Sequence, residues 1–102
     1  MILIIQFVSL IFLTIKIQII KNINKLKKNG HIIKMFTSRY MNKCNGNVKL
    51  INKKYKDVTS KQLRSWGLDF DELIMGKPVY DFIVDDKILS IKDLKKFNKI
   101  QF

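Results

Sequence analysis

Three charged residues in the second half of the chain have the types and spacing to act on a phosphate group. Lys77 lies in a Gly-Lys-Pro turn, and the adjacent carboxylates Asp85 and Asp86 follow a short apolar run, residues 82–84. The run predicts a buried strand, and ligands bind at the carboxyl ends of strands in open α/β sheets. A lysine and two carboxylates there favour a phosphate and a divalent cation. The alternative is a solvated turn after an edge strand.

A second group of polar residues follows a predicted helix and strand. The helix is indicated by four apolar residues at helical spacing, namely Ile19, Ile20, Ile23 and Leu26. We expect about three or four turns, ending at Gly30, which supplies a left-handed stop. Residues 31–36 then read as a strand that ends sharply in Thr37, Ser38 and Arg39. Two predicted strands therefore end in polar or charged residues that could bind a ligand or take part in a reaction.

The middle of the chain carries one clear helix pattern. Residues 40–57 are polar and contain an Asn-Gly turn pair, which predicts a surface loop with room for one helical turn. After this loop, Thr59 and Gln62 form a capping box that predicts the start of a helix, and Gly67 predicts its end.

The remaining elements complete an α/β pattern. Residues 73–75 and 82–84 read as short strands, and Ser90 with Asp93 forms a second capping box. That box would open a final helix whose apolar face carries Ile91, Leu94 and Phe97. The order of the elements predicts an α/β fold with a small, mostly parallel sheet flanked by helices.

Residues 1–20 are almost wholly apolar, and their pattern leaves three interpretations. A secretory signal would need a basic start and a small-residue cleavage site, which the segment lacks. A membrane span needs about 20 apolar residues, but the charge-free part stops at Ile15. A buried strand leading into a core helix needs only a partner sheet. We therefore treat residues 1–20 as an apolar N-terminal segment, with a membrane anchor through residues 1–15 as the alternative, and residues 19–102 as the folded domain.

Composition narrows the class of protein. A chain of 102 residues forms a single domain. Cys44 is the single cysteine and His31 the single histidine, which argues against a zinc site and against a Ser-His or Cys-His nucleophile. The same cysteine usage favours the reducing cytoplasm.

The net charge of +12 raises nucleic acid or an anionic membrane as a partner. The charge is uneven, since residues 1–56 carry twelve basic residues and no acid, whereas eight basic and eight acidic residues balance in residues 57–102. The basic residues are nearly all lysines among many Ile and Asn, and no aromatic residues interleave with them as in a single-strand groove. This pattern argues against nucleic acid.

Four ordered blocks, residues 36–41, 45–48, 69–78 and 81–87, resemble the haloacid dehalogenase (HAD) superfamily. Within it, they look like the small phosphatases found with capsule and lipopolysaccharide biosynthesis genes. The resemblance covers residues 19–94 and implies a Rossmann-like core, Mg²⁺ and a phosphorylated sugar or similar phosphate ester as substrate.

The resemblance assigns roles to individual residues. Thr37 would hydrogen-bond the transferring phosphoryl group, Lys77 would neutralise its charge, and Ser38 and Arg39 would be further substrate contacts. Asp85 and Asp86 would bind Mg²⁺ directly or through water. Phosphoryl transfer needs such preorganised positive charge and hard oxygen ligands.

The chain departs from the family at its first motif. Such phosphatases begin with a strand ending in Asp-x-Asp, whose first Asp attacks phosphorus and whose second is the general acid and base. Here no acid precedes Asp57, and Gln6 and Val8 would fall at these positions. We expect a HAD core truncated at its N-terminus, in which residues 2–8 fill the place of the first strand.

Three functions follow from these patterns. The favoured one is a catalytically impaired sugar-phosphate phosphatase with Mg²⁺ bound weakly or lost. The alternatives are a non-catalytic module that binds a phosphorylated ligand, and a small membrane-anchored basic protein.

Overall fold

In the computed structural model, which describes residues 1–7 and 9–89, a parallel sheet carries three helices. The elements in chain order are β1 (Ile2–Phe7), α1 (Ser9–Lys28), β2 (Ile32–Thr37), α2 (Val48–Lys54), α3 (Lys56–Ser65) and β3 (Glu72–Met75).

The sheet has the strand order β1-β2-β3, and both pairings are parallel. Phe7 pairs with Thr37, and Thr37 pairs with Met75. The last residues of all three strands therefore lie side by side, so the segments that follow them leave from one edge of the sheet. The predicted α/β class with a parallel sheet is confirmed, as are the strands predicted at residues 31–36 and 73–75.

The core lies between one face of the sheet and the helices. Buried and more exposed side chains alternate along β2 and β3, and the buried ones include Ile33, Met35 and Leu73. They belong to one apolar cluster with Ile23 of α1 and Leu63 of α3. Consecutive right-handed crossovers account for this arrangement, because they place every connecting helix on the same face.

The N-terminal segment forms a strand followed by a helix. β1 pairs along its whole length with β2, so residues 2–7 form an edge strand of the sheet that leads into a helix. α1 is longer than expected, because it begins at Ser9, and the boundary drawn at residues 19–20 lies inside it. Gly30 has a φ of +94°, the left-handed conformation expected after the helix. Within the described part of the chain, no helix is both long enough and apolar enough to cross a membrane.

The prediction of a loop over residues 40–57 with room for one helical turn is confirmed for residues 40–46, which form turns, but α2 extends over seven residues and is longer than one turn. The side chain of Asn47 begins this helix, since its Oδ1 accepts a hydrogen bond of 3.1 Å from the backbone N–H of Leu50. Such a cap satisfies an N–H group that has no partner within the helix. The Asn-Gly pair that precedes Asn47 forms a turn, as predicted, and both Asn45 and Gly46 have a positive φ.

The capping box predicted at Thr59 and Gln62 is wrong. α3 begins three residues earlier, at Lys56, and its N-cap residue, Tyr55, makes no capping hydrogen bond through its side chain. Tyr55 instead stacks on the ring of Tyr40, with the ring centroids 4.0 Å apart. Thr59 lies inside the helix, where its hydroxyl is buried and has no hydrogen-bond partner among the described residues. The predicted end is confirmed, since Gly67 follows the helix with a φ of +86°.

The strand predicted at residues 82–84 is absent. These residues have no regular secondary structure, and Phe82 and Val84 are 91% and 98% exposed. Residues 76–81 are too few for a crossover to a further parallel strand, which needs a dozen residues or more. The helix predicted from Ser90, with its apolar face, lies outside the described residues, as does Val8.

Asp71 ties α1 to the start of the β2–β3 pairing. One carboxylate oxygen accepts a hydrogen bond from Lys27 at 2.8 Å, and the other accepts one from the backbone N–H of Ile33 at 2.8 Å. The Lys27 ammonium, followed by the Ile33 N–H, lowers the pKa of Asp71. A lowered carboxyl pKa stabilises the fold above the ordinary carboxyl pKa of about 4, and this stabilisation is lost as the pH falls through the folded-state pKa.

We therefore expect Asp71→Asn to lower the free energy of unfolding at pH 7. The size of this loss should decrease as the pH falls below about 4. Urea unfolding midpoints measured from pH 7 to pH 3 test this. Glu72→Gln is the matched control, because Glu72 pairs with Lys34 at a longer distance of 3.4 Å. An effect of Asp71→Asn that is as large at pH 3 as at pH 7 would contradict the proposed role of its charge.

Candidate functional site

A cavity of about 500 Å³ lies where the segments leaving β2 and β3 come together. One wall is formed by residues 38–43, which follow β2. The other is formed by residues 77–80, which follow β3. The size is typical of a small-molecule site. Its position at the carboxyl edge of a parallel sheet is where ligands bind in folds of this class.

Thr37, the last residue of β2, holds both walls in place. Its side chain is fully buried, and its Oγ1 accepts a hydrogen bond of 3.1 Å from the backbone N–H of Arg39. Its carbonyl oxygen accepts one of 3.0 Å from the backbone N–H of Lys77. Thr37 does not itself line the cavity. It therefore positions Arg39 and Lys77, which do.

Gly76 allows the second wall to approach α2 closely. Its φ is +92°, which side chains rarely adopt, and a Cβ atom there would lie 2.8 Å from both γ-methyl groups of Val48. Glycine is therefore required for steric and for conformational reasons. The backbone that leads into Lys77 is fixed by this contact and by the hydrogen bond to Thr37.

Lys77 is a buried cation without an anionic partner. The residue is 4% exposed, and its ammonium forms no hydrogen bond or ion pair with the described residues. The nitrogen lies 4.8 Å from the centroid of the Tyr80 ring, a favourable cation–π distance. A buried charge is costly unless it is paired, so an anion entering the cavity would relieve this cost.

The first wall adds two cations and the ring of Tyr40, which stacks on the ring of Tyr55 outside the lining. The guanidinium of Arg39 donates to Oε1 of Gln62 and lies 5.5 Å from the ring of Tyr40. The ammonium of Lys43 lies 6.0 Å from the ring of Tyr40 and 5.3 Å from that of Tyr55. The two rings stack at an angle of 11°.

Tyr40 adopts a backbone conformation that is rare for a bulky residue. Its φ is +69°, in the left-handed region. The ring of Tyr40 stacks on Tyr55 and lies within cation–π distance of Arg39 and Lys43. Backbone strain of this kind concentrates at functional sites.

Gln6 is near the cavity, at the carboxyl end of β1. Its Oε1 accepts a hydrogen bond from the hydroxyl of Tyr80 at 3.5 Å, the outer limit for such a bond. Tyr80 lines the cavity, so the end of β1 presents a carboxamide next to it. The described lining contains no Asp, Glu, His or Cys.

Asp85 and Asp86 lie apart from this lining, in an exposed segment. Oδ1 of Asp85 accepts a hydrogen bond of 3.0 Å from the backbone N–H of Lys87. This bond lowers the pKa of Asp85. Among residues 1–7 and 9–89, no three His, Cys, Asp or Glu side chains gather as a metal site would require.

Of the residues predicted from the sequence, Ser38, Arg39 and Lys77 thus share one cavity, with Thr37 behind it. The sequence patterns missed Tyr40 and Lys43. No local sequence pattern indicates that Tyr40 adopts a left-handed backbone conformation. In the sequence Lys43 resembles the many other lysines of the chain, and only the fold places it in the cavity wall.

Comparison with known proteins establishes the fold but not a family. No protein-family model matches the sequence, and no curated protein is similar to it in sequence. The crystal structure of a structural-genomics target from Vibrio cholerae is similar, with a TM-score of 0.75 and 19% sequence identity. The similarity covers 96% of this chain and 96% of that one. At this identity it supports a shared small α/β architecture.

The two buried threonines allow a direct test of the positioning role of Thr37. We expect Thr37→Val to destabilise the fold by roughly 1–3 kcal/mol, because the N–H of Arg39 loses its acceptor. Thr59→Val should be neutral or stabilising by up to about 1 kcal/mol, because the hydroxyl it removes has no partner among the described residues. Urea denaturation of both variants measures the difference. Equal losses of stability would show that the Thr37 hydroxyl has no special role.

Proposed function

We propose that this chain is a HAD-like domain that binds a small phosphorylated molecule, such as a sugar phosphate, in the cavity between residues 38–43 and 77–80. We further propose that it hydrolyses phosphate esters weakly or not at all. The observation that carries the proposal is Lys77, a buried ammonium that borders the cavity without an anionic partner among the described residues.

The charge distribution supports an anionic ligand. Arg39, Lys43 and Lys77 line the cavity, and no acidic residue among those the structure describes does. None of the three forms an ion pair within the described ranges. The ion pairs found there use other lysines, and they are Lys27–Asp71, Lys34–Glu72 and Lys61–Asp57. The cavity therefore keeps its positive charge, and phosphate oxygens accept charge-assisted hydrogen bonds from such groups.

The residue at the end of β1 supports the proposal that the site binds a phosphate ester without hydrolysing it. In the family that the sequence resembles, a carboxylate at this strand end attacks phosphorus. Gln6 has a carboxamide, which is a poor nucleophile and cannot form the acyl phosphate. Binding of the substrate's phosphate by cations lowers the energy of the bound ground state. Rate acceleration needs interactions that are stronger in the transition state.

Mg²⁺, which the resemblance implies, has no part in this proposal. Asp85 and Asp86 would have to bind it from an exposed segment, and one oxygen of Asp85 already accepts the Lys87 N–H. Both carboxylates lie outside the cavity lining, and no group of three or more His, Cys, Asp or Glu side chains gathers among the described residues. This donor set does not fit a Mg²⁺ site beside the cavity.

Phosphate binding is tested with inorganic phosphate and two lysine variants. We expect phosphate to raise the melting temperature of the wild-type chain saturably, and Lys77→Met to weaken its affinity about tenfold to a hundredfold, the range for a charge-assisted hydrogen bond. Lys53→Met is the matched control, because Lys53 is an exposed lysine at the end of α2. Isothermal titration calorimetry gives the affinities. Equal weakening by both variants, or no binding by the wild type, would refute the assignment of this site.

The inactivity is tested separately. The purified chain should release no nitrophenol from p-nitrophenyl phosphate above the rate of the buffer, with Mg²⁺ present. Turnover at about 1 s⁻¹ or more, an ordinary phosphatase rate, would contradict the proposed inactivity. It would not contradict the proposed phosphate-binding site.

A further inference from the structure

The cavity carries more positive charge than one phosphate group needs, and the charge is divided between two walls. Lys77 belongs to residues 77–80, whereas Arg39 and Lys43 belong to residues 38–43. A volume of about 500 Å³ lies in the range of organic ligands and is much larger than a single ion requires. The cavity therefore has room for a ligand that extends beyond its phosphate group.

Aromatic rings hold the cations of the two walls in separate places. Lys77 lies over Tyr80, while Lys43 lies over Tyr40 and Tyr55. These contacts restrict the two ammonium groups to different parts of the lining. A ligand with a single anionic group at Lys77 would leave the cations of the other wall without an anionic partner among the described residues.

Arg39 and Lys43 retain the capacity to bind an anion. The one side-chain acceptor found for Arg39 is the neutral Oε1 of Gln62, which leaves most of its five N–H donors available. The ammonium of Lys43 has no hydrogen-bond acceptor among the described residues. The left-handed Tyr40 lies between these two residues and fixes the wall that carries them.

We infer that the ligand has two anionic groups joined by a sugar-sized skeleton, with a phosphate at Lys77 and a second phosphate or a carboxylate at Arg39 and Lys43. The inference rests on the proposed function and goes beyond it, because it specifies a sugar bisphosphate or a phosphorylated sugar acid. Ser38 and Asn42, which also line the cavity, supply a hydroxyl and an amide for the hydroxyl groups of the skeleton.

Three probes of similar size separate the possibilities: fructose 6-phosphate, fructose 1,6-bisphosphate and 6-phosphogluconate. Their dissociation constants are measured by calorimetry at one ionic strength, because exposed charges are screened by salt. We expect at least one of the two doubly anionic probes to bind the wild-type chain about tenfold tighter than fructose 6-phosphate, a typical gain for one added charge-assisted contact. The tighter of the two identifies the second group as phosphate or carboxylate.

Variants of Lys43 test where the second group binds. Lys43→Gln should remove the preference for the doubly anionic probe, whereas Lys43→Arg should retain it. Lys53→Gln removes the same charge from a residue outside the lining and should also retain it. Melting curves of all variants confirm that they are folded.

Two results would overturn the inference. One is equal affinity of the wild type for all three probes, which would leave the single-phosphate site intact. The other is an equal loss of preference in Lys43→Gln and Lys53→Gln, which would assign the preference to overall charge. Failure of every probe and of inorganic phosphate to bind the wild type would instead overturn the proposed function as well.

Discussion

The arrangement of the cavity depends on two hydrogen bonds at the end of β2. Thr37 accepts the N–H of Arg39 through its hydroxyl and the N–H of Lys77 through its carbonyl oxygen. The parallel register makes this possible, because Thr37 pairs with Met75 and brings the segments that follow β2 and β3 to the same edge. One buried residue thus sets the positions of two cations that are far apart in the sequence.

Much of this arrangement is encoded locally. β2 and β3 are short apolar runs bounded by glycine and polar residues, so both strands could be predicted, and strand ends in a parallel sheet must share an edge. Arg39 and Lys77 follow those ends, and both line the cavity. The strand predicted at residues 82–84 failed because an apolar run shows that burial is favourable, but not that a partner edge is within reach of the chain.

The remaining features depend on contacts between distant parts of the chain. α3 begins directly after Tyr55, whose ring stacks on that of Tyr40. A capping pattern in the sequence does not reveal a contact of this kind. Lys43 enters the site because Tyr40 turns the chain with a positive φ. Gly76 was predicted as part of a turn, but its close approach to Val48 becomes visible only when α2 is packed in place. Propensity and periodicity describe single elements, whereas these residues are selected by how the elements meet.

The central claim, that the cavity beside Lys77 binds phosphate, is tested most directly by mapping the binding site in solution. Backbone amide resonances of the ¹⁵N-labelled chain can be followed as inorganic phosphate is added at constant ionic strength. The account predicts saturable shifts that are largest in residues 38–43 and 76–80. It would be contradicted by shifts that do not saturate, or by shifts centred on the lysine-rich end of α1 at Lys25, Lys27 and Lys28.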